Sequence, residues 1–150
     1  MDILTKIQRQ FEVENVVKRL AHAVDHEKWD IWDESFTPDA FIDFKDLSGT
    51  SGTPDFYKAR MRGSKEGRIA YQHLLSNQIS TFFDGSATVH SEFAVEIASK
   101  AQEAGHIDLV SLHGFYVDEL KYTDQGWLIR HRKGVLKWKE SRTVKNELDR

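Results

Sequence analysis

From Ala87 to Ile97 the chain alternates without a break. Ala87, Val89, Ser91, Phe93, Val95 and Ile97 take every second place, and mostly polar residues fill the others. Successive side chains of a strand point to opposite faces, so this segment is an extended strand with one dry face. Such a face needs a sheet around it and a layer over it. Asp84-Gly85 reads as a hairpin turn from a preceding strand, Tyr71 to Phe83. Gln102 to Gly105 turns into a long strand, His106 to Thr123. Asp124-Gln125-Gly126 turns again into a last strand, Trp127 to about Lys139. Consecutive hairpins make an antiparallel meander. The polar tail after Glu140 is expected to be loosely held.

The layer that covers the dry face lies in the first half. Ile3, Leu4, Ile7, Phe11, Val16, Val17, Leu20, Ala21 and Val24 keep three-and-four spacing, which predicts an amphipathic helix over Ile3 to Val24. A short helix should run from Trp29 to about Phe36 and stop before Pro38, with Trp32 and Phe36 on its inner face. Ala40 to Lys45 reads as a strand with Ala40, Ile42 and Phe44 on one side. A loop, Leu47 to Thr53, then leads to Thr53-Pro54, a cap and first-turn proline opening a third helix through Phe56, Tyr57 and Met61. Three helices cannot cover both faces of the sheet. The expectation is therefore a single α+β domain over 1–150, with a curved antiparallel sheet that holds three N-terminal helices in its concave side and encloses a pocket. The convex side is left to solvent or to assembly.

Composition removes several function classes. A net charge of −3 argues against a nucleic-acid partner. The absence of cysteine removes disulfides, thiol nucleophiles and thiolate metal sites, and fits a reducing cytoplasm. The charged N-terminus carries no signal peptide, and no apolar run suits a membrane span. His22 and His26 are four apart, as in zinc helices, but Ala23 stands where that motif needs glutamate, so they read as a surface pair. His90, His106 and His113 read as structural or surface residues. Ser76 and Ser111 lack the glycines of a nucleophile elbow, and Ser48 to Thr53 lacks the ending of a phosphate loop. No metal and no cofactor are expected.

Two residues remain. Asp25 stands one place beyond Val24 on the buried stripe, where an unpaired carboxylate is costly. His73 lies early in the strand Tyr71-Gln72-His73-Leu74-Leu75-Ser76-Asn77. If Asp25 accepts a hydrogen bond from one ring nitrogen of His73, the other nitrogen is a usable base. That equipment removes a proton from carbon next to a carbonyl. The residues alone leave a second reading open, in which Asp25 caps the helix turn and His73 is a satisfied core histidine.

The anchors Ala23-Val24-Asp25 with Trp29, Phe36-Thr37-Pro38-Asp39-Ala40, Gln72 to Asn77, and Tyr116 to Leu120 running to Gly126-Trp127 carry a resemblance. Their order resembles SnoaL-like proteins of the nuclear-transport-factor-2-like cone fold, from about Ile7 to Lys139. The nearest branch includes scytalone dehydratase, bile-acid 7α-dehydratase and hexachlorocyclohexane dehydrochlorinase. The resemblance places the family's catalytic pair on Asp25 and His73 and its late-strand arginine on Arg132, with Gly134 and Leu136 beside it on the pocket side. Tyr116 falls on a pocket position. The chain also departs from these relatives. The two tyrosines that hold a water in scytalone dehydratase correspond to Val24 and Phe44, and its serine and asparagine to Gly114 and Tyr116. The dehydrochlorinase's pocket lysine corresponds to Leu20. The resemblance therefore implies a lyase of the dehydratase type with a bulkier or less polar substrate, apolar or polycyclic, and with Tyr71 or Tyr116 supplying a hydroxyl. An isomerase or cyclase using the same base is the close alternative. A small-ligand-binding or scaffold domain, like the small subunit of ring-hydroxylating dioxygenases, is the non-catalytic one. The resemblance further implies a small-molecule substrate and a homo-oligomer, trimer or dimer, for which the convex face with Glu92, His113 and Phe115 is the expected contact.

Overall fold

The computed structural model describes residues 2–148. Helix α1 spans Ile3–Asp25, and its first turn is capped by the Asp2 carboxylate, which accepts from the amides of Leu4 and Thr5 at 3.0 and 3.1 Å. The apolar stripe buries only from Val13 onward, through Val17, Leu20, Ala21 and Ala23. Ile3, Leu4, Ile7 and Phe11 stay exposed. At about 1.5 Å per residue the helix is simply longer than the sheet face it covers.

Helix α2 is Trp29–Glu34 and strand β1 is Phe36–Phe44. The second helix thus ends earlier than its sequence suggests, and Phe36 belongs to the strand. Its ring still meets Trp32, with centroids 4.9 Å apart. Pro38 sits where the register of β1 shifts between Phe36 and Phe41, the kind of irregularity that tolerates a missing amide. The expected loop contains a one-turn helix α3, Lys45–Ser48, and a short strand β2, Thr50–Gly52. Gly49 ends α3 at φ 74°, a left-handed conformation that suits glycine. Helix α4, Pro54–Gly63, is capped by Thr53. Four helical segments therefore stand in place of the expected three.

The remaining strands are β3 (Arg68–Phe83), β4 (Ser86–Lys100), β5 (His106–Thr123) and β6 (Gly126–Lys145). The sheet order is β2-β1-β6-β5-β4-β3. The β3 to β6 meander is antiparallel as expected, but β1 pairs with β6 in parallel. No hairpin joins these two strands, and the long stretch between them allows a parallel pair. The last strand also runs to Lys145 rather than ending near Glu140, paired throughout with β5.

Two clusters fill the concave side. Val13, Val17 and Leu20 of α1 pack on Ile42, Val89, Leu120 and Ile129 at the narrow end. Phe93, Val95 and Tyr116, with Phe44 and Leu47 against them, form a second cluster at the wide end. Gly114 sits between β6 and the ring of Phe93. A Cβ there would lie 2.0 Å from the Val135 carbonyl oxygen and 2.9 Å from Phe93 Cζ. Backbone cannot yield that distance without separating β5 from β6. Gly114→Ala should therefore lower stability by about 2 kcal/mol and the melting midpoint by roughly 4–8 °C. An unchanged midpoint in calorimetry would show that the two strands part freely at this point.

Candidate active site

Asp25 is the last residue of α1, and the turn that follows, with Glu27 at φ 54°, carries the chain away from the sheet. The carboxylate reaches β3 and is bonded twice to one residue. It accepts the His73 backbone amide at 2.8 Å and pairs with His73 Nδ1 at 2.5 Å. Because a carboxylate only accepts, Nδ1 carries the hydrogen and Nε2 is left with its lone pair. Nε2 has no hydrogen-bond partner among the described residues. The two side chains are only 12% and 10% exposed. Burial alone would push the Asp25 carboxyl up. The hydrogen bonds and charge of the His73 ring outweigh it, aided by the His73 amide and the charge of His26, and the group ends below 3.8.

His73 opens onto a cavity of about 230 Å³. Val24 of α1 and Tyr71 of β3 flank it, Phe93 and Val95 of β4 form the floor, and Tyr116 and Arg132 close the far side. The outer wall comes from one stretch of chain, with Phe44, Leu47, Tyr57 and Met61. Tyr57 is fixed there by its hydroxyl, which donates to the Thr50 carbonyl at 2.7 Å.

Tyr116 is layered between two partners. Phe93 stacks on its ring at 4.4 Å, and the Arg132 guanidinium lies 4.4 Å from the ring centroid. Burial pushes the phenol up to about 12, although the Arg132 charge pulls the other way. The hydroxyl is thus a neutral donor at any ordinary pH. Arg132 is itself buried, and it donates from Nε and Nη2 to the two oxygens of Asp118 at 2.6 and 2.9 Å. Burial alone would lower the guanidinium, but the Asp118 carboxylate outweighs it and holds the group above its ordinary value. Asp118 is wholly inaccessible. The pair presents the pocket with a cation already neutralised.

Of the residues singled out from sequence, His73, Tyr71, Tyr116, Arg132, Phe44 and Val24 meet at this cavity, with Asp25 behind His73. Leu20 is fully buried in the narrow-end core instead, one turn too far from the wall. Leu136 does not line the cavity either. The strand shifts register beside it, between the Gly114–Leu136 and His113–Trp138 pairs, and its amide donates to Asp46 at 2.6 Å. Phe93 and Val95 were signalled by the alternation of their strand, and Asp118 by standing two places from Tyr116 on the same face. Leu47 and Met61 had no comparable signal. Larger open clefts of about 630 and 710 Å³ flank α1 near Tyr122 and Trp127, and one of about 410 Å³ lies at the β3–β4 turn. A further cleft of about 560 Å³, between α1 and β3, carries His22, Asp25, His26 and the other side of His73. Only the 230 Å³ cavity brings His73 together with Tyr116 and Arg132.

The fold has known counterparts. The family model described as a SnoaL-like domain matches residues 6–133. An uncharacterized protein of Mycobacterium tuberculosis is 26% identical over 129 residues, covering 86% of each chain. A candidate scytalone dehydratase from Novosphingobium aromaticivorans superposes with a TM-score of 0.77 at 18% identity, over 97% of both chains. A type 2 hexachlorocyclohexane dehydrochlorinase reaches 0.79 at 10% identity, over 94% of this chain and 93% of that one. The two structures share the fold.

The Asp25 pairing has a consequence for stability against pH. Its native value lies below 3.8, so its contribution is complete above that pH and is lost as pH falls through the native value. The stability difference between the wild type and Asp25→Asn should therefore shrink between about pH 5 and pH 2 in denaturant titrations. A difference that stays constant over that interval would contradict the pairing.

Proposed function

The chain belongs to the SnoaL-like domain family, and from that premise we propose that it is a lyase of the dehydratase type in which His73 is the base. The observation that carries this reading is the doubly bonded Asp25–His73 pair, with Nδ1 engaged and the His73 ring in the wall of a cavity. A scaffold domain has no need of an oriented base beside empty space.

The chemistry follows from the geometry. His73 Nε2 takes a proton from carbon alpha to a carbonyl, and Asp25 stabilises the imidazolium that forms. The electron pair of the broken C–H bond moves toward the carbonyl, and negative charge grows on its oxygen. Tyr116 donates its O–H to that oxygen, a neutral donor held in place by Phe93 and Arg132. The charge then returns to form the C=C bond, the β C–O bond breaks, and the imidazolium gives its proton to the leaving hydroxyl, which departs as water. Isomerisation uses the same base and differs only in the carbon that receives the proton. The apolar floor of Phe93 and Val95 supports it as the second reading, because it shields a captured proton from water.

The cavity also bounds the substrate. An engineered cavity of about 150 Å³ holds benzene. At about 230 Å³ the cavity suits a molecule of one or two rings, smaller than the polycyclic compounds implied from sequence alone. With Arg132 neutralised by Asp118, that molecule is uncharged where it meets Tyr116.

A panel of one- and two-ring β-hydroxy ketones, followed by mass spectrometry for loss of water and for deuterium uptake in heavy water, tests the proposal. His73→Ala and Asp25→Asn should each lower turnover by about 10²–10⁴-fold. Tyr116→Phe should lower kcat by about 10²–10³-fold. Full turnover in both dyad variants would sink the mechanism.

A further inference from the structure

The outer edge of β6 is partnered for only part of its length. β1 pairs with it from Ile129 to Lys133, and the Asp46 carboxylate takes the amide of Leu136. From Trp138 to Lys145, beyond the bulge at Lys137, the strand is paired with β5 on one side, and no described strand lies on the other. Nearly all of these residues are exposed. A free edge of this length offers a row of unpaired backbone donors and acceptors, which templates another strand. With Lys137 the segment reads Lys-Trp-Lys-Glu-Ser-Arg-Thr-Val-Lys. Its lysines and arginine guard against indiscriminate pairing.

We propose that this edge pairs with the same edge of a second copy, antiparallel, about a two-fold axis through Ser141. The residues themselves select that register. Residues directly opposite in an antiparallel pair share a face. An axis at Ser141 sets Glu140 against Arg142 of the other copy twice over, and Trp138 against Val144. Moving the axis one residue back sets Glu140 against its own copy, and one residue forward does the same to Arg142. Like charges directly opposite are destabilising. An aromatic facing a β-branched residue is among the favourable cross-strand pairs.

The two ends of the segment are already prepared. Trp138 stacks on His113 at 3.7 Å, which fixes its ring on the convex face although it stays 50% exposed. Glu140 and Arg142 pair within the chain on that same face. Lys137, which would approach Lys145 of the second copy, is held back by Glu92 at 2.6 Å. The register shift beside Leu136 separates this segment from the part of β6 that serves the pocket. The partner is therefore another copy of this chain, the symmetry is two-fold, and the continuous sheet runs through both protomers.

Sedimentation of the full chain over a range of micromolar concentrations tests this, with circular dichroism to confirm folding of each variant. The wild type should be dimeric. Glu140→Arg and Arg142→Glu should each raise the dissociation constant about tenfold or more, and the double exchange should restore it. Amides within 137–145 should gain hydrogen-exchange protection as concentration rises. A monomeric wild type, an oligomer indifferent to both single reversals, or a double exchange that fails to restore association would each overturn the proposal.

Discussion

One carboxylate ties the two halves of this protein together. Asp25 closes α1 and bonds both the amide and the ring of His73 on β3, the outermost strand of the sheet. Hydrogen bonds to a charged group contribute about 1.5–3 kcal/mol each, and here both act on a single residue. Among the described residues no strand lies on the far side of β3, so the helix serves as its second support. The same contact chooses the imidazole tautomer. Support of the edge strand and orientation of the His73 ring are thus one interaction.

The opposite wall depends on a buried ion pair. Asp118 and Arg132 face each other from β5 and β6, in register, at the point where β1 also joins. Breaking such a pair is costly because it strands a charge in the interior. Arg132, 4.4 Å from the Tyr116 ring centroid, holds the phenol at its angle, while burial keeps the proton on it. Gly114, two residues earlier, leaves the room that Phe93 needs to reach the other face of the same ring.

Much of this was legible in the residues. The alternation from Ala87 to Ile97 fixed the dry face of β4, and the three turns fixed the meander. The early aspartate and the histidine were legible as candidates because their chemistry is dear to bury and useful if paired. Other features were hidden because they depend on tertiary context. Local pattern cannot show that β1 lies parallel to β6, since that pairing is made by residues far apart in the chain. The exposed start of α1 carries the same apolar spacing as its buried end, so only the extent of the sheet separates them. Leu20 and Leu136 were assigned to the pocket wall by correspondence with relatives, but helix depth and a register shift moved them off it.

The outer wall of the cavity is built from one uninterrupted length of chain, through Phe44, Leu47, Tyr57 and Met61, while Asp25, His73, Tyr116 and Arg132 sit on α1, β3, β5 and β6. On the proposed function, selectivity and reactivity are therefore written in separate places. That arrangement makes the segment from α3 to α4 the variable part of the wall, while β1 stays tied to β6 beside Arg132. On the proposed function, substitutions at Leu47 or Met61 would alter what enters while the Asp25–His73 and Asp118–Arg132 pairs keep their own supports. A scaffold divided in this way can diversify its range of substrates by changing a single contiguous stretch of its gene.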